Sequence, residues 1–104
     1  MNKPLDTIHH IAIQVKDISE SVSWYTEHYH CEIEYQDDSW AMLKFANASL
    51  ALVLPDQHPY HFAITSDDLS PYGAATPHRD GTSSVYIKDN VGNNIEMLKL
   101  PDKF

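Results

Sequence analysis

From residue 8 to residue 15 the chain alternates in the manner of a half-buried strand. His10, Ala12 and Gln14 fall on one face and Ile11, Ile13 and Val15 on the other. After Lys16-Asp17 the period changes to that of a helix. Ile18, Val22, Tyr25 and Tyr29 recur at steps of four, three and four, which predicts one amphipathic helix running to about residue 29, with Ser19 as a suitable N-cap. Three short strand-like runs follow, Glu32 to Gln36, Trp40 to Phe45 and Leu50 to Leu54. They are divided by Asp37-Asp38-Ser39 and Ala46-Asn47-Ala48, and Pro55 stops the last. In the middle run Trp40, Met42 and Lys44 share one face and Ala41, Leu43 and Phe45 the other, so one set should line a cavity while the other packs on the helix.

The same order then begins again. His61-Phe62-Ala63-Ile64-Thr65-Ser66-Asp67-Asp68-Leu69-Ser70 repeats His10-Ile11-Ala12-Ile13-Gln14-Val15-Lys16-Asp17-Ile18-Ser19 at six spaced positions, which marks an internal duplication. Residues 60 to 66 read as the strand of the second copy. Residues 67 to 77, with Pro71, Gly73 and Pro77 and no helical stripe, predict that its helix is mostly lost. Two strands close the copy, Ser83 to Lys88 and Asn94 to Leu100, joined by the turn Asp89-Asn90-Val91-Gly92-Asn93; a weakly marked strand lies near His78 to Asp80. The expected fold is α+β: two βαβββ-type modules, about 7 to 55 and about 59 to 100, forming a curved mixed sheet around a cavity within one domain.

Each copy opens with a histidine on the face of its small residues. If the two similar strands pair about a pseudo-twofold axis, His10 and His61 look into a shared space, the beginning of a metal site. Glu96 lies in the apolar strand Asn94-Ile95-Glu96-Met97-Leu98, where a lone carboxylate is costly to bury, so it either meets a cation or faces water. Two neutral imidazoles and a carboxylate on one face of an octahedral metal leave positions open for substrate and oxygen, as in non-haem Fe(II) oxygenases.

Composition narrows the partners. Fifteen acidic against seven basic residues give a net charge of -8, which repels nucleic-acid backbones and anionic membranes. The single cysteine, Cys31, permits no internal disulfide, and Met1 to Asp6 hold no apolar run fit for a signal peptide or span, so a cytoplasmic location is expected. Cys31 reads as buried filler, and His9, His28 and His30 as surface or packing residues. Trp40 with Lys44 would suit an aromatic acid, against the plainer reading of a solvated strand face. Arg79 and Asp80 would clamp a carboxylate or pair with each other. No phosphate loop, nucleophile elbow or zinc-finger spacing is present.

With these modules and histidines the whole chain resembles the vicinal oxygen chelate superfamily, which holds glyoxalase I, the bleomycin resistance proteins and the extradiol dioxygenases. The resemblance places metal-ligand positions at His10, Ala51, His61 and Glu96. Ala51 cannot bind a metal, and the remaining His10, His61 and Glu96 resemble the three-ligand set of the extradiol dioxygenases. Thr76, His78, Val85, Tyr86, Asp89, Gly92 and Glu96 also match the signature of those enzymes, with Asn90 where it expects proline. By that resemblance His78 is an acid or hydrogen-bond donor near the substrate and Tyr86 orients a bound phenolate or oxygen adduct. A further proton-handling histidine of those enzymes has no counterpart between His30 and His58, and His58 is a poor match in spacing.

Three function classes follow. The first is a metal-dependent, extradiol-type dioxygenase acting on a small catechol-like substrate, with Fe(II) favoured and Ni(II), Zn(II) or Mn(II) as other divalent candidates. The second is a glyoxalase I-like lyase or isomerase, for which Ala51 supplies no base. The third is a metal-free small-molecule binding protein like the bleomycin resistance proteins. The resemblance also implies a homodimer.

Overall fold

The computed structural model describes residues 4–101. The first half contains β1 (Ile8–Gln14), α1 (Ile18–His28), β2 (Glu32–Gln36), β3 (Trp40–Lys44) and β4 (Ser49–Val53); the second contains β5 (His61–Thr65), β6 (Thr76–Pro77), β7 (Ser83–Lys88) and β8 (Asn94–Lys99). The α+β class and the paired βαβββ modules are as expected. Among the described residues no helix is long and apolar enough to cross a membrane. Two compact units divide the chain, residues 10–61 in one, and those up to His9 with those from Phe62 onward in the other. The boundaries fall within β1 and just after His61, so the chain runs through them as continuous strand.

In residues 10–61 the strand order is β2-β3-β4-β1, with β1 parallel to β4 and the other pairs antiparallel. Alternation gives this sheet two different faces. Ala41, Leu43 and Leu52 point to α1 and form a core with Ile18 and Val22, against which Ile13, Val15, Tyr25 and Phe45 pack. Burying Leu43 and Leu52 completely contributes roughly 2 kcal/mol each. On the opposite face Ala12, Ala51, Met42 and Val53 cluster, and Tyr35 and Trp40 pack against them. The helix starts earlier than expected. Asp17, not Ser19, is its N-cap, because the Asp17 carboxylate accepts the Glu20 amide at 2.9 Å while Ser19 is already inside the first turn.

In the second unit the order is β5-β8-β7-β6, with β5 parallel to β8. The expected loss of the second helix is realised as a single 3-10 turn at Ser70–Tyr72, with Pro71 inside it and the buried Leu69 before it. The marginal strand is displaced from its expected place. Thr76–Pro77 pairs with Ser83 and Ser84, whereas His78 to Asp80 form the turn, in which His78 N donates to Thr82 O at 2.8 Å and Asp80 accepts the Thr82 amide at 3.0 Å. In the β7–β8 turn the Asp89 carboxylate accepts the amides of Val91 and Asn93, and Gly92 at φ 93° supplies the left-handed backbone that closes it. Asp89 and Gly92 therefore have a structural explanation independent of chemistry.

The β2–β3 hairpin is pinned by one carboxylate. Asp37 accepts the Ser39 amide at 2.8 Å, the Ser39 hydroxyl at 2.7 Å, the Trp40 amide at 3.0 Å and the Tyr35 hydroxyl. Burial pushes this carboxyl up, but the hydrogen bonds from Tyr35, Ser39 and Trp40 outweigh it and hold it well below the ordinary carboxylate range.

Two predictions follow from these contacts. Asp17→Ala is expected to lower unfolding stability by about 1 kcal/mol in urea titrations, while Ser19→Ala changes it by no more than a few tenths; equal losses would return the cap to Ser19. Because the folded Asp37 carboxyl titrates below its unfolded value of about 3.9, its contribution is present above that pH and is lost as the pH falls towards the folded value. The urea-midpoint difference between wild type and Asp37→Asn should therefore be clear at about pH 7 and shrink below about pH 3.

Candidate metal centre

The two repeat histidines are neighbours. His10, on β1, and His61, at the start of β5, are 5% and 7% exposed, and their rings meet edge to face with centroids 5.7 Å apart. His61 Nδ1 donates to the carbonyl of Pro59 at 2.9 Å, so in the neutral ring the lone pair belongs to Nε2. This is the arrangement that fixes the tautomer and orientation of a metal-binding imidazole. Gln14, two residues along the same face from Ala12, donates to the carbonyl of His58 at 2.9 Å. The His58 ring lies 6.4 Å from that of His61. Its spacing in the chain gave His58 little weight, and the loop that folds back onto Leu54 brings it close.

Glu96 is 6% exposed on β8, with Ala63 of β5 beside it on one side and Tyr86 of β7 on the other. His78 Nε2 lies 3.7 Å from Glu96 Oε2 and shares a 2.6 Å hydrogen bond with the Ser84 hydroxyl. The trio is not a nucleophilic triad. Ser84 is 2% exposed, and the same imidazole nitrogen faces both the hydroxyl and the carboxylate, so no relay runs through the ring. Burial, and then the Glu96 charge beside it, push the Tyr86 phenol well above the ordinary tyrosine range.

One ligand atom from each of His10, His61 and Glu96 lies within 4.8 Å of the others. Two neutral nitrogens and one carboxylate, all buried, fit a divalent cation, and the apolar strand around Glu96 favours a partner for its charge. Strand register also accounts for Ala51. Ala12 pairs with Ala51 on β4 as Ala63 pairs with Glu96 on β8, and each histidine stands two residues before its alanine. Ala51 is thus the counterpart of Glu96, with a methyl group in place of a carboxylate.

His10, His61 and Glu96 come together, with His78 against Glu96 and Tyr86 opposite it. Trp40 stacks on Tyr35 with ring centroids 4.3 Å apart, and Lys44, four residues along, is exposed, as on a solvated strand face. One oxygen of the Asp80 carboxylate accepts the Thr82 amide and hydroxyl and closes a turn. Ser84 and Tyr35 carried no signal in the chain; Tyr35 changes face at a β-bulge that alternation does not register.

No protein-family model matches the chain, and no curated protein matches it. Solved structures do. A hypothetical protein from Bacillus halodurans C-125 superposes with a TM-score of 0.76 at 15% identity, covering 95% of this chain and 97% of its own. A methylmalonyl-CoA epimerase, solved with methylmalonyl-CoA and NH4+, gives 0.77 at 18% identity over 93% and 96%. A glyoxalase/bleomycin resistance protein/dioxygenase superfamily member from Vibrio splendidus 12B01 gives 0.66 at 14% identity over 91% and 99%. The chain has the fold of that superfamily. The likeness is one of fold, and within the vicinal oxygen chelate fold the chemistry has to be argued from this chain's own residues.

In the metal-free protein the influence of Glu96 on Tyr86 is directly measurable. Glu96→Gln keeps the burial and removes the charge, so the Tyr86 phenol should titrate at lower pH than in wild type yet still above about 10. The tyrosinate absorbance assigned by difference from Tyr86→Phe measures it, and no change would exclude Glu96 as a cause.

Proposed function

We propose that this protein is a small metal-dependent enzyme in which His10, His61 and Glu96 would hold a divalent cation open to chelation by two adjacent oxygens of a small substrate. The observation that carries this reading is the convergence of three buried ligand atoms within 4.8 Å. Fe(II) is the favoured ion, because three protein ligands without a carboxylate at Ala51 leave coordination positions for both substrate and oxygen; Ni(II), Zn(II) and Mn(II) are the other candidates. Bound there, the ion supplies Lewis acidity and, if iron, oxygen activation.

The chain's own residues do the rest. The Pro59 carbonyl keeps His61 oriented with Nε2 as the ligand atom. His78, hydrogen-bonded to Ser84 beside Glu96, takes in this reading the role of an acid or hydrogen-bond donor near the substrate. Tyr86, whose phenol stays protonated, offers its hydroxyl as a donor to a substrate oxygen carrying negative charge. This is the extradiol-type reading.

A second reading is metal-assisted proton transfer, as in a lyase or isomerase. It is favoured by the position of His78 beside Glu96 and is compatible with the fold likeness to a methylmalonyl-CoA epimerase. Oxygen uptake with catechol-type substrates supports the first; solvent-deuterium exchange into substrate without oxygen uptake supports the second. A homodimer acting on a small molecule in the cytoplasm completes the proposal.

Anaerobic calorimetry with Fe(II) tests the site itself. Binding near one ion per chain is expected, weakened by more than about tenfold, or about 1.4 kcal/mol, in Glu96→Ala. Weak binding that the variant leaves unchanged would remove the metalloenzyme reading and favour a metal-free binding protein.

A further inference from the structure

The two repeat histidines enter their strands differently. β1 already runs as strand from Ile8, two residues before His10, whereas β5 starts at His61 itself. Pro59 therefore precedes the strand, and it is a loop carbonyl that accepts the His61 Nδ1 proton at 2.9 Å. An acceptor in a loop orients an imidazole only as well as the loop itself is held, because an unrestrained backbone samples many conformations.

Two sets of hydrogen bonds hold this one. The amides of Gln57 and His58 donate to the Leu54 carbonyl at 3.0 and 3.1 Å and close the turn that leads in. Beyond it, the Gln14 side-chain amide donates to the His58 carbonyl at 2.9 Å, across 44 positions of the chain, and so fixes the peptide plane that joins His58 to Pro59. The donor stands on a paired strand. Gln14 is opposite Val53 of β4, and the next amide, that of Val15, donates to the Val53 carbonyl at 2.8 Å. The proline ring then locks its own φ near about −65°, so one soft dihedral, ψ of Pro59, separates the carbonyl that Gln14 holds from the carbonyl that holds His61. Gln14, His58, Pro59 and His61 all belong to the compact unit of residues 10–61.

We propose that Gln14 is a positioning residue for His61. By holding the His58–Pro59 peptide it keeps the Pro59 carbonyl on His61 Nδ1, and the proton held there leaves the Nε2 lone pair as the ligand. The orienting role stands on these hydrogen bonds; its consequence for a bound cation rests on the metal-site reading above. The two histidines thus differ in what they depend on: the hold on His61 passes through a side chain of the strand that carries His10.

The experiment records two-bond proton–nitrogen NMR spectra of the histidine side chains in the full, metal-free chain at about pH 8.5, where ordinary imidazoles are neutral. Wild-type His61 should carry its proton on Nδ1. In Gln14→Met, which keeps the length and loses the donor, the Nε2-protonated form of His61 should rise about threefold or more while His10 keeps its wild-type pattern. Gln14→Asn, whose amide falls one methylene short of the His58 carbonyl, should give the same change and replaces the methionine variant if that one does not fold. An unchanged His61 overturns the positioning role. So does an equal change at His10 and His61, which marks general loosening of the sheet. Calorimetry with Zn(II) should show affinity lowered about three- to tenfold in either variant. A tautomer change with unchanged affinity overturns the link to the cation. If the wild-type chain takes up no Zn(II), the metal-site reading fails by itself, and the spectra still decide the role of Gln14.

Discussion

A carboxylate buried in an apolar strand is the constraint around which this molecule is arranged. Glu96 stands between Ile95 and Met97 with little contact to water, and an ionised group so placed is tolerated only with compensating partners. The nearby groups answer that demand in two ways. His78 and Tyr86 are polar neighbours set by the β7–β8 ladder, and His10 with His61 bring two further nitrogens to the same carboxylate. Parallel pairing of the first and last strands of each module makes this possible. It places a residue of the last strand beside the alanine that follows each histidine.

Much of this was legible in the chain because strands report their faces by alternation. The repeat from His10 and from His61 fixed which side chains share a face, and Glu96 stood out as a charge within an apolar run. Ala51 could be recognised as the counterpart of Glu96 because duplicated strands keep their register. What escaped were effects that break a period or depend on one hydrogen bond. The bulge at Ile33–Tyr35 reverses a face without changing composition, and two capping candidates two residues apart, Asp17 and Ser19, are equivalent until geometry selects the carboxylate. His58 escaped because loop closure, not strand spacing, brings it to His61.

The two modules have diverged in opposite directions. The first keeps a full helix and covers its inner face with Ala12, Ala51, Met42 and two aromatic rings. The second has lost the helix to a 3-10 turn and lines its inner face with Ser84, Tyr86 and Glu96. The duplicated scaffold thus carries an apolar cluster on one copy and Ser84, Tyr86 and Glu96 on the other, while each retains its histidine.

In the proposed metal centre, a methyl group at Ala51 in place of a carboxylate would also alter the charge balance. With neutral imidazoles, a divalent cation held by His10, His61 and Glu96 would keep one net positive charge, because Glu96 is the one charged ligand, whereas a second carboxylate at the Ala51 position would cancel it. A singly ionised chelate, such as a catechol monoanion, would bring the centre to neutrality, and a neutral ligand would leave the charge uncompensated in a poorly hydrated space. In a chain carrying a net charge of -8, that local excess would attract anions against the field of the whole molecule, and its selectivity would be for ligand charge as much as for shape.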